Sequence, residues 1–178
     1  MLTEEQIIVI SRGWNSGRPE TNCGKGSMDH NTGRIRNVLG KWVQRYEIKT
    51  LIDAGAGDMK WIKQVDMPDV SYLPYDLVPL SDEVMQWDIT SKRMPDCDAI
   101  LCRYVLNHLP DEFVLAALLL FKLAARYLII STVNEPRKAG GAFGKFKDYN
   151  LIEPPFNLGQ PLEIADDYRG QIALWRVR

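Results

Sequence analysis

Cysteine is scarce in this 178-residue chain. The three present, Cys23, Cys97 and Cys102, are an odd number with no C-x-x-C pairing, which argues against a disulfide framework or a structural zinc site and points to a reducing compartment. No apolar run reaches the roughly 18 residues a membrane span requires. The opening MLTEEQIIVISRG carries acids where a signal peptide carries basic residues, so we expect a cytoplasmic, unprocessed protein with no membrane partner. Charge of one sign is missing as well: 22 basic residues stand against 23 acidic ones, a net of −1, which gives no broad electrostatic grip on nucleic acid. Histidine occurs only at His30 and His108, so side-chain bases poised near neutrality are few. There is no internal repeat, no low-complexity segment and no phosphate-binding GxxxxGK[ST] loop.

What is present is enough to fold. Apolar residues make up 46% of the chain, and the length suits one domain over residues 1–178, with 1–47 as an N-terminal lid and helix and 48–178 as the core. Thr3 and Gln6 have the spacing of a capping box, and the IIVI that follows is either a short helix or a strand. Residues 11–33 are dense in Gly, Ser, Asn and Pro, a loop long enough to be functional, and we read it as a lid. From Ile35 the apolar residues Val38, Leu39, Trp42, Val43 and Tyr46 recur at steps of three and four, predicting a helix capped by Asn31 or Thr32. Its other face, with Arg34, Arg36, Lys41 and Arg45, reads as a solvated surface. Gly40 within it marks close packing.

Residues 51–61, LIDAGAGDMKW, read as a strand, a glycine turn and a helix over about 58–66. Gly55 and Gly57 permit a sharp bend and close approach of a ligand. Asp58 is placed to cap the helix. Further strands are expected in VSYLPYDLVP, where Pro74 implies a short or bulged strand, in EVMQWDIT, in CDAILC and in YLIISTV, with a helix from about Pro110 to Arg126. The last residues, PLEIADDYRGQIALWRVR, read as two strands joined by a turn at Tyr168 to Gly170. The architecture expected is therefore α/β and Rossmann-like: a mostly parallel sheet closed by a C-terminal antiparallel hairpin, with an N-terminal helical lid. In such sheets ligands bind beyond the carboxyl ends of the strands, where Asp53, the glycines, Asp76, Asp88 and Cys102 to His108 all fall. The dinucleotide fingerprint GxGxxG fails at Lys60, and Asp53 ahead of the glycines suits a cationic amino group better than a pyrophosphate.

LIDAGAGD, YDLVP, QWDIT and CDAILCRYVLNHLPDE, in that order, resemble the class I S-adenosylmethionine-dependent methyltransferases over about residues 50–132. CGKGS with Asn31 and Thr32, PPFNLGQPLEI and ALWRV are similar to a group of small bacterial and phage methyltransferases. The resemblance implies S-adenosyl-L-methionine as cofactor. It assigns Asp53, Gly55 and Gly57 to the methionine and ribose side, Asp76 to the two ribose hydroxyls, and Asp88 with the Ile89 backbone N–H to adenine. Trp87 packs either on the base or in the core. The lid residues Trp14, Lys25 and Ser27 are expected to close over the cofactor.

Methyl transfer from a sulfonium mainly requires alignment and exclusion of water. The catalytic candidates are His108, either a base or a packing residue, with Arg103 and Tyr104 where the acceptor should enter; the relatives often carry an acid where Tyr104 stands. His30 is a weaker base candidate. Cys102 reads as a buried thiol rather than a nucleophile. The acceptor is expected to be a small molecule, or a side chain or sugar presented by a partner. The alternatives are a catalytically silent cofactor-binding module, a DNA adenine methyltransferase, or a nucleotide-dependent oxidoreductase. EPPFN at 153–157 lies too late in the chain for the DNA enzymes' motif and is read as a substrate-side loop wall.

Overall fold

The computed structural model describes residues 2–11, 20–135 and 142–178. Its centre is a seven-stranded sheet formed by β1 (Thr50–Ala54), β2 (Ser71–Asp76), β3 (Met85–Gln86), β4 (Cys97–Cys102), β5 (Ala125–Thr132), β6 (Glu163–Asp166) and β7 (Gln171–Arg176). They lie in the order β3-β2-β1-β4-β5-β7-β6. β7 alone runs against its neighbours: it pairs antiparallel with both β5 and β6, and the other pairs are parallel. Pro74 is accommodated without a bulge, in continuous register with Asp53 of β1. β3 pairs with β2 only at Tyr75 and Asp76, so the missing N–H of Pro74 faces an open edge.

Two helices cover the sheet, one on each face. Along β4, Ala99 and Leu101 turn to one side and Ile100 and Cys102 to the other, all fully buried, as the period of two in a strand demands. On the first side packs α2 (Asp29–Arg45) through Ile35, Leu39, Trp42 and Val43. On the second packs α3 (Asp111–Ala124) through Val114, Ala117, Leu118 and Phe121. The short α1 (Glu4–Ser11) resolves the ambiguity of IIVI in favour of a helix. Its capping box is formed, with Thr3 N–H on Gln6 Oε1 at 2.8 Å and Gln6 N–H on Thr3 Oγ1 at 3.3 Å. No helix among the described residues is long and apolar enough to cross a membrane.

Two expectations fail locally. α2 begins at Asp29, with Met28 in the N-cap position and no side-chain cap; Asn31 and Thr32 lie in the first turn and bond to Lys25 O and Asp29 O. An acid in the first turn, Asp29, favours this earlier start. The helix expected over 58–66 is replaced by turns and a single 3₁₀ turn, Ile62–Gln64. Met59 has φ 55, a left-handed conformation that no α-helix contains, and Met59, Trp61 and Ile62 are all buried. Packing of these three side chains overrides helical propensity.

The basic face of α2 is a surface, and its arginines form ion pairs. Arg34 and Arg45 bond to Asp166 and Glu163 of β6, and Arg36 to Asp29. Gly40 packs against the chain after the 3₁₀ turn: a Cβ there would stand 2.9 Å from Asp66 O, a backbone atom. At Gly33 it would meet only the tip of Arg36, at 3.7 Å. Replacing glycine by alanine inside a helix gains about 1 kcal/mol where there is room. We therefore expect Gly33→Ala to raise the melting temperature and Gly40→Ala to lower it. Thermal denaturation of the two variants checks this, and a stabilising Gly40→Ala would contradict the close approach.

Candidate functional site

The carboxyl ends of β1, β2 and β4 open on a cavity of about 340 Å3, within the range of small-molecule sites. Its floor is the glycine turn. Gly55 and Ala56 donate their N–H groups to Tyr75 O of β2, at 2.8 and 3.0 Å. Gly55 and Gly57 have φ of 113 and 57. A Cβ on Gly55 would fall 2.1 Å from Val105 Cγ2, and one on Gly57 would fall 2.5 Å from Cys23 Sγ. The turn is thus a fixed cradle in which neither position accepts a side chain.

Two buried carboxylates face it. Asp76 ends β2 and accepts Gly57 N–H on Oδ2 at 2.9 Å and Val78 N–H on Oδ1 at 3.0 Å. Each oxygen keeps one further acceptor position. Burial raises its pKa, and the backbone bonds oppose that rise. Asp53 accepts a bond from Tyr72 OH at 2.7 Å. Burial pushes it up to about 7; Tyr72 and Arg103 pull it down and the neighbouring Asp76 pushes it higher. Asp53 is therefore poised to change charge near neutrality, at the point where a cationic group would be met.

The described part of the lid lies over this floor. Asp58 accepts Thr21 Oγ1–H at 2.7 Å and Asn22 N–H at 2.9 Å on Oδ2, so it clamps the lid instead of capping a helix. Lys25 and Ser27, in a 3₁₀ turn, line the cavity. Trp14 lies outside the described residues. Cys23 lines the cavity too, with its thiol pushed up to about 11 by burial and by Asp58. Cys102 is buried, and its thiol is pushed above the usual range by burial; it is absent from the cavity lining.

Arg103 departs from the role expected of it. Its side chain is 3% exposed and forms a two-point ion pair with Asp167, Nε to Oδ2 at 2.7 Å and Nη2 to Oδ1 at 2.8 Å. Nη2 also donates to Gly26 O of the lid at 3.0 Å. The guanidinium lies between the rings of Trp61 and Tyr104, 5.0 and 4.7 Å from their centroids. With three of its five donors and its charge satisfied inside the protein, Arg103 holds the walls together. Tyr104 has φ 56 and reaches across to the β6–β7 turn, where its OH donates to Arg169 O and accepts from Arg169 N–H. His108 lines the cavity and stacks edge-on against Phe146, 5.5 Å between centroids; burial lowers its pKa, against a backbone hydrogen bond at Gly144. It is kept neutral and near the reacting volume, as a base would be.

Asp88 and Ile89 line a separate cavity of about 30 Å3, which Asp76, Val105 and His108 also border. Asp88 is saturated. Oδ1 accepts Thr90 N–H and Oγ1–H, and Oδ2 accepts Ser91 Oγ–H and Leu2 N–H. Burial raises its pKa, but these bonds together hold it below the usual range. Trp87 stands edge-on to Tyr75 and donates Nε1–H to Lys92 O, closing the side of this space. EPPFN borders neither cavity. Phe156 is buried against Tyr149, so the segment is a core element and not a substrate wall. His30 is likewise absent from both cavities. Trp61, Phe146, Asp167, Tyr168 and Arg169 were missed. Asp167 had one available signal, since a buried arginine needs an acid, but nothing selects one acid among 23.

By sequence, the chain matches no family model and no curated protein. By structure it is similar to mitomycin 7-O-methyltransferase MmcR (17% identity, TM-score 0.56, covering 79% of this chain). It is also similar to the pyocyanin biosynthetic protein PhzM (14%, 0.58, 80%) and to TehB from Haemophilus influenzae (14%, 0.59, 88%). The chain spans 53% and 55% of the length of the first two and 68% of TehB. The likeness is one of fold, the Rossmann-like fold of S-adenosylmethionine-dependent methyltransferases.

Asp53 carries a stability consequence whatever the ligand. An acid whose folded pKa is raised contributes most below its unfolded value near 4 and progressively less up to its folded value near 7. Asp53→Asn removes that cost. The variant should therefore melt above the wild type at about pH 8, and the gap should narrow at about pH 5. Parallel thermal melts at the two pH values check it; a gap that widens on acidification contradicts a raised pKa.

Proposed function

We propose that the chain is an S-adenosylmethionine-dependent methyltransferase whose acceptor is a small molecule or a group presented by a partner. The observation that carries this reading is the pair Asp53 and Asp76 at adjacent strand ends, facing one cavity beside a glycine turn that excludes side chains. The fold similarity to such methyltransferases supports it, as does the resemblance of CGKGS and PPFNLGQPLEI to small bacterial and phage enzymes.

The residues present fit the cofactor at that end. Asp76 has one unused acceptor position on each oxygen, matching two ribose hydroxyls. Asp53 suits the amino group of the methionine moiety, and Gly55 and Gly57 allow the backbone approach. Asp88 and Ile89 are assigned to the base, where Leu2 N–H must leave Asp88 Oδ2 to free an acceptor position. Lys25 and Ser27 close the lid side. When bound, the cofactor supplies an electrophilic methyl group on a sulfonium. The chain aligns the acceptor, excludes water through the lid clamped by Asp58, and holds a neutral His108 to take a proton where the acceptor carries one. Arg103 positions the walls through Asp167 and Gly26.

Isothermal titration tests the cofactor assignment. Wild type should bind S-adenosylmethionine, and Asp76→Ala should weaken binding about a hundredfold, the loss of two hydrogen bonds to a charged acceptor at about 1.5 kcal/mol each. A cation beside Asp53 favours its carboxylate, so binding should release protons near neutrality and tighten between about pH 6 and 7.5. Titrations in buffers of different ionisation enthalpy read that release. No binding by the wild type rejects the proposal, and binding without transfer of labelled methyl to any cell fraction would instead favour a silent module.

A further inference from the structure

We infer that the acceptor end of the cavity takes a small planar aromatic molecule carrying a negative charge, with Arg169 as its anion receptor. This rests on the methyltransferase reading above and narrows it to a substrate class. The cavity has charge of opposite sign on the two sides of β4. Asp53 and Asp76 belong to β1 and β2, whereas Arg169 belongs to the turn between β6 and β7, which the sheet order puts on the far side.

Arg169 is built into place. Its backbone N–H and C=O are both bonded to Tyr104 OH, at 2.8 and 3.0 Å, and its guanidinium lies over the Phe146 ring, 4.7 Å from the centroid. Holding a guanidinium on an aromatic face fixes its plane and lowers the entropy lost when it binds an anion. Among the described residues no carboxylate pairs with it. Arg103, the other arginine on the cavity, is neutralised by Asp167 at both of its nitrogens that face that acid. The unspent positive charge at this end is therefore Arg169, with Lys25 of the lid lining the same cavity.

The wall around that charge is aromatic. Tyr104 and Phe146 stand 6.2 Å apart between centroids and tilted, and His108 meets Phe146 edge-on. Phe146 and Tyr168 are 37% and 44% exposed, large apolar surfaces presented to the opening. Flat rings beside a fixed guanidinium favour a flat, negatively charged guest, which stacks on the rings while its anion meets the fork of donors. A cationic guest would meet Arg169 and Lys25 unpaired.

A charge series on one ring system tests this: 2-naphthoate, neutral 2-naphthamide and cationic 2-(aminomethyl)naphthalene, titrated calorimetrically into the protein with and without S-adenosylhomocysteine. We expect naphthoate to bind at least about tenfold more tightly than the other two, a difference of about 1.4 kcal/mol. Arg169→Gln should abolish that preference while leaving S-adenosylhomocysteine affinity within about twofold. Equal or reversed preference overturns the inference. So does an Arg169→Gln variant that loses S-adenosylhomocysteine affinity, because the guanidinium would then serve the cofactor's own carboxylate. Failure of S-adenosylhomocysteine to bind the wild type rejects the cofactor reading separately, while the charge preference is still read without it.

Discussion

The ion pair between Arg103 and Asp167 joins three parts of the chain that no strand ladder holds together. Arg103 leaves the end of β4, Asp167 sits in the turn between β6 and β7, and Gly26, bonded to the same guanidinium, belongs to the N-terminal lid. Both side chains are almost wholly buried, at 3% and 1% exposed. Taking two charges out of water gains little net stability, yet removing one partner strands the other and costs about 3–5 kcal/mol. Such a pair acts as a registration device: it stabilises only the arrangement in which lid, strand end and hairpin turn meet. The aromatic contacts follow from it. Trp61 and Tyr104 flank the guanidinium, and Tyr104 then reaches Arg169.

The two carboxylates at β1 and β2 run against stability. Asp53 and Asp76 are buried and each has its pKa raised by burial. An acid kept in a place that favours its neutral form is a local cost that the rest of the core offsets, and such costs concentrate where a ligand later supplies the missing partner. Tyr72 and the Gly57 and Val78 amides satisfy part of each carboxylate and leave the remainder aimed at the cavity. The lid covers the same acids through contacts to Asp58 and not to Asp53 or Asp76. It can therefore stay docked while those two exchange partners.

The sheet was legible because its signals are local. CDAILC is apolar on both faces and becomes β4 at those residues, and the alternation near the C-terminus becomes β6 and β7 with the turn where Tyr168 to Gly170 predicted it. The acids at strand ends were legible for the same reason, since a strand's end and its next polar residue are neighbours in sequence. Two kinds of feature were not. The segment after Gly57 looked helical by composition, but Met59, Trp61 and Ile62 are buried together and Met59 adopts φ 55, a tertiary decision. The partners of Arg103, Tyr104 and Asp58 lie 64, 65 and 37 residues away in sequence, and no periodicity encodes a pairing of that span. Arg103 was accordingly placed at the site and given the wrong work.

Asp88 shows how far a correct placement can still leave the chemistry open. It lies beside Ile89 and Trp87 on the small cavity, where a base was expected, but its four acceptor positions are filled by Thr90, Ser91 and Leu2. Three of those bonds come from the turn that Asp88 itself begins, and they set the carboxylate's orientation. The fourth, from Leu2 N–H at 3.3 Å, is the longest and comes from 86 residues away. A purine amino group arriving at Oδ2 therefore exchanges one donor for another of similar strength, so that bond adds little net affinity. The gain at this end comes from apolar burial between Leu77, Trp87 and Leu109, and specificity for the base from the turn that holds Asp88 still.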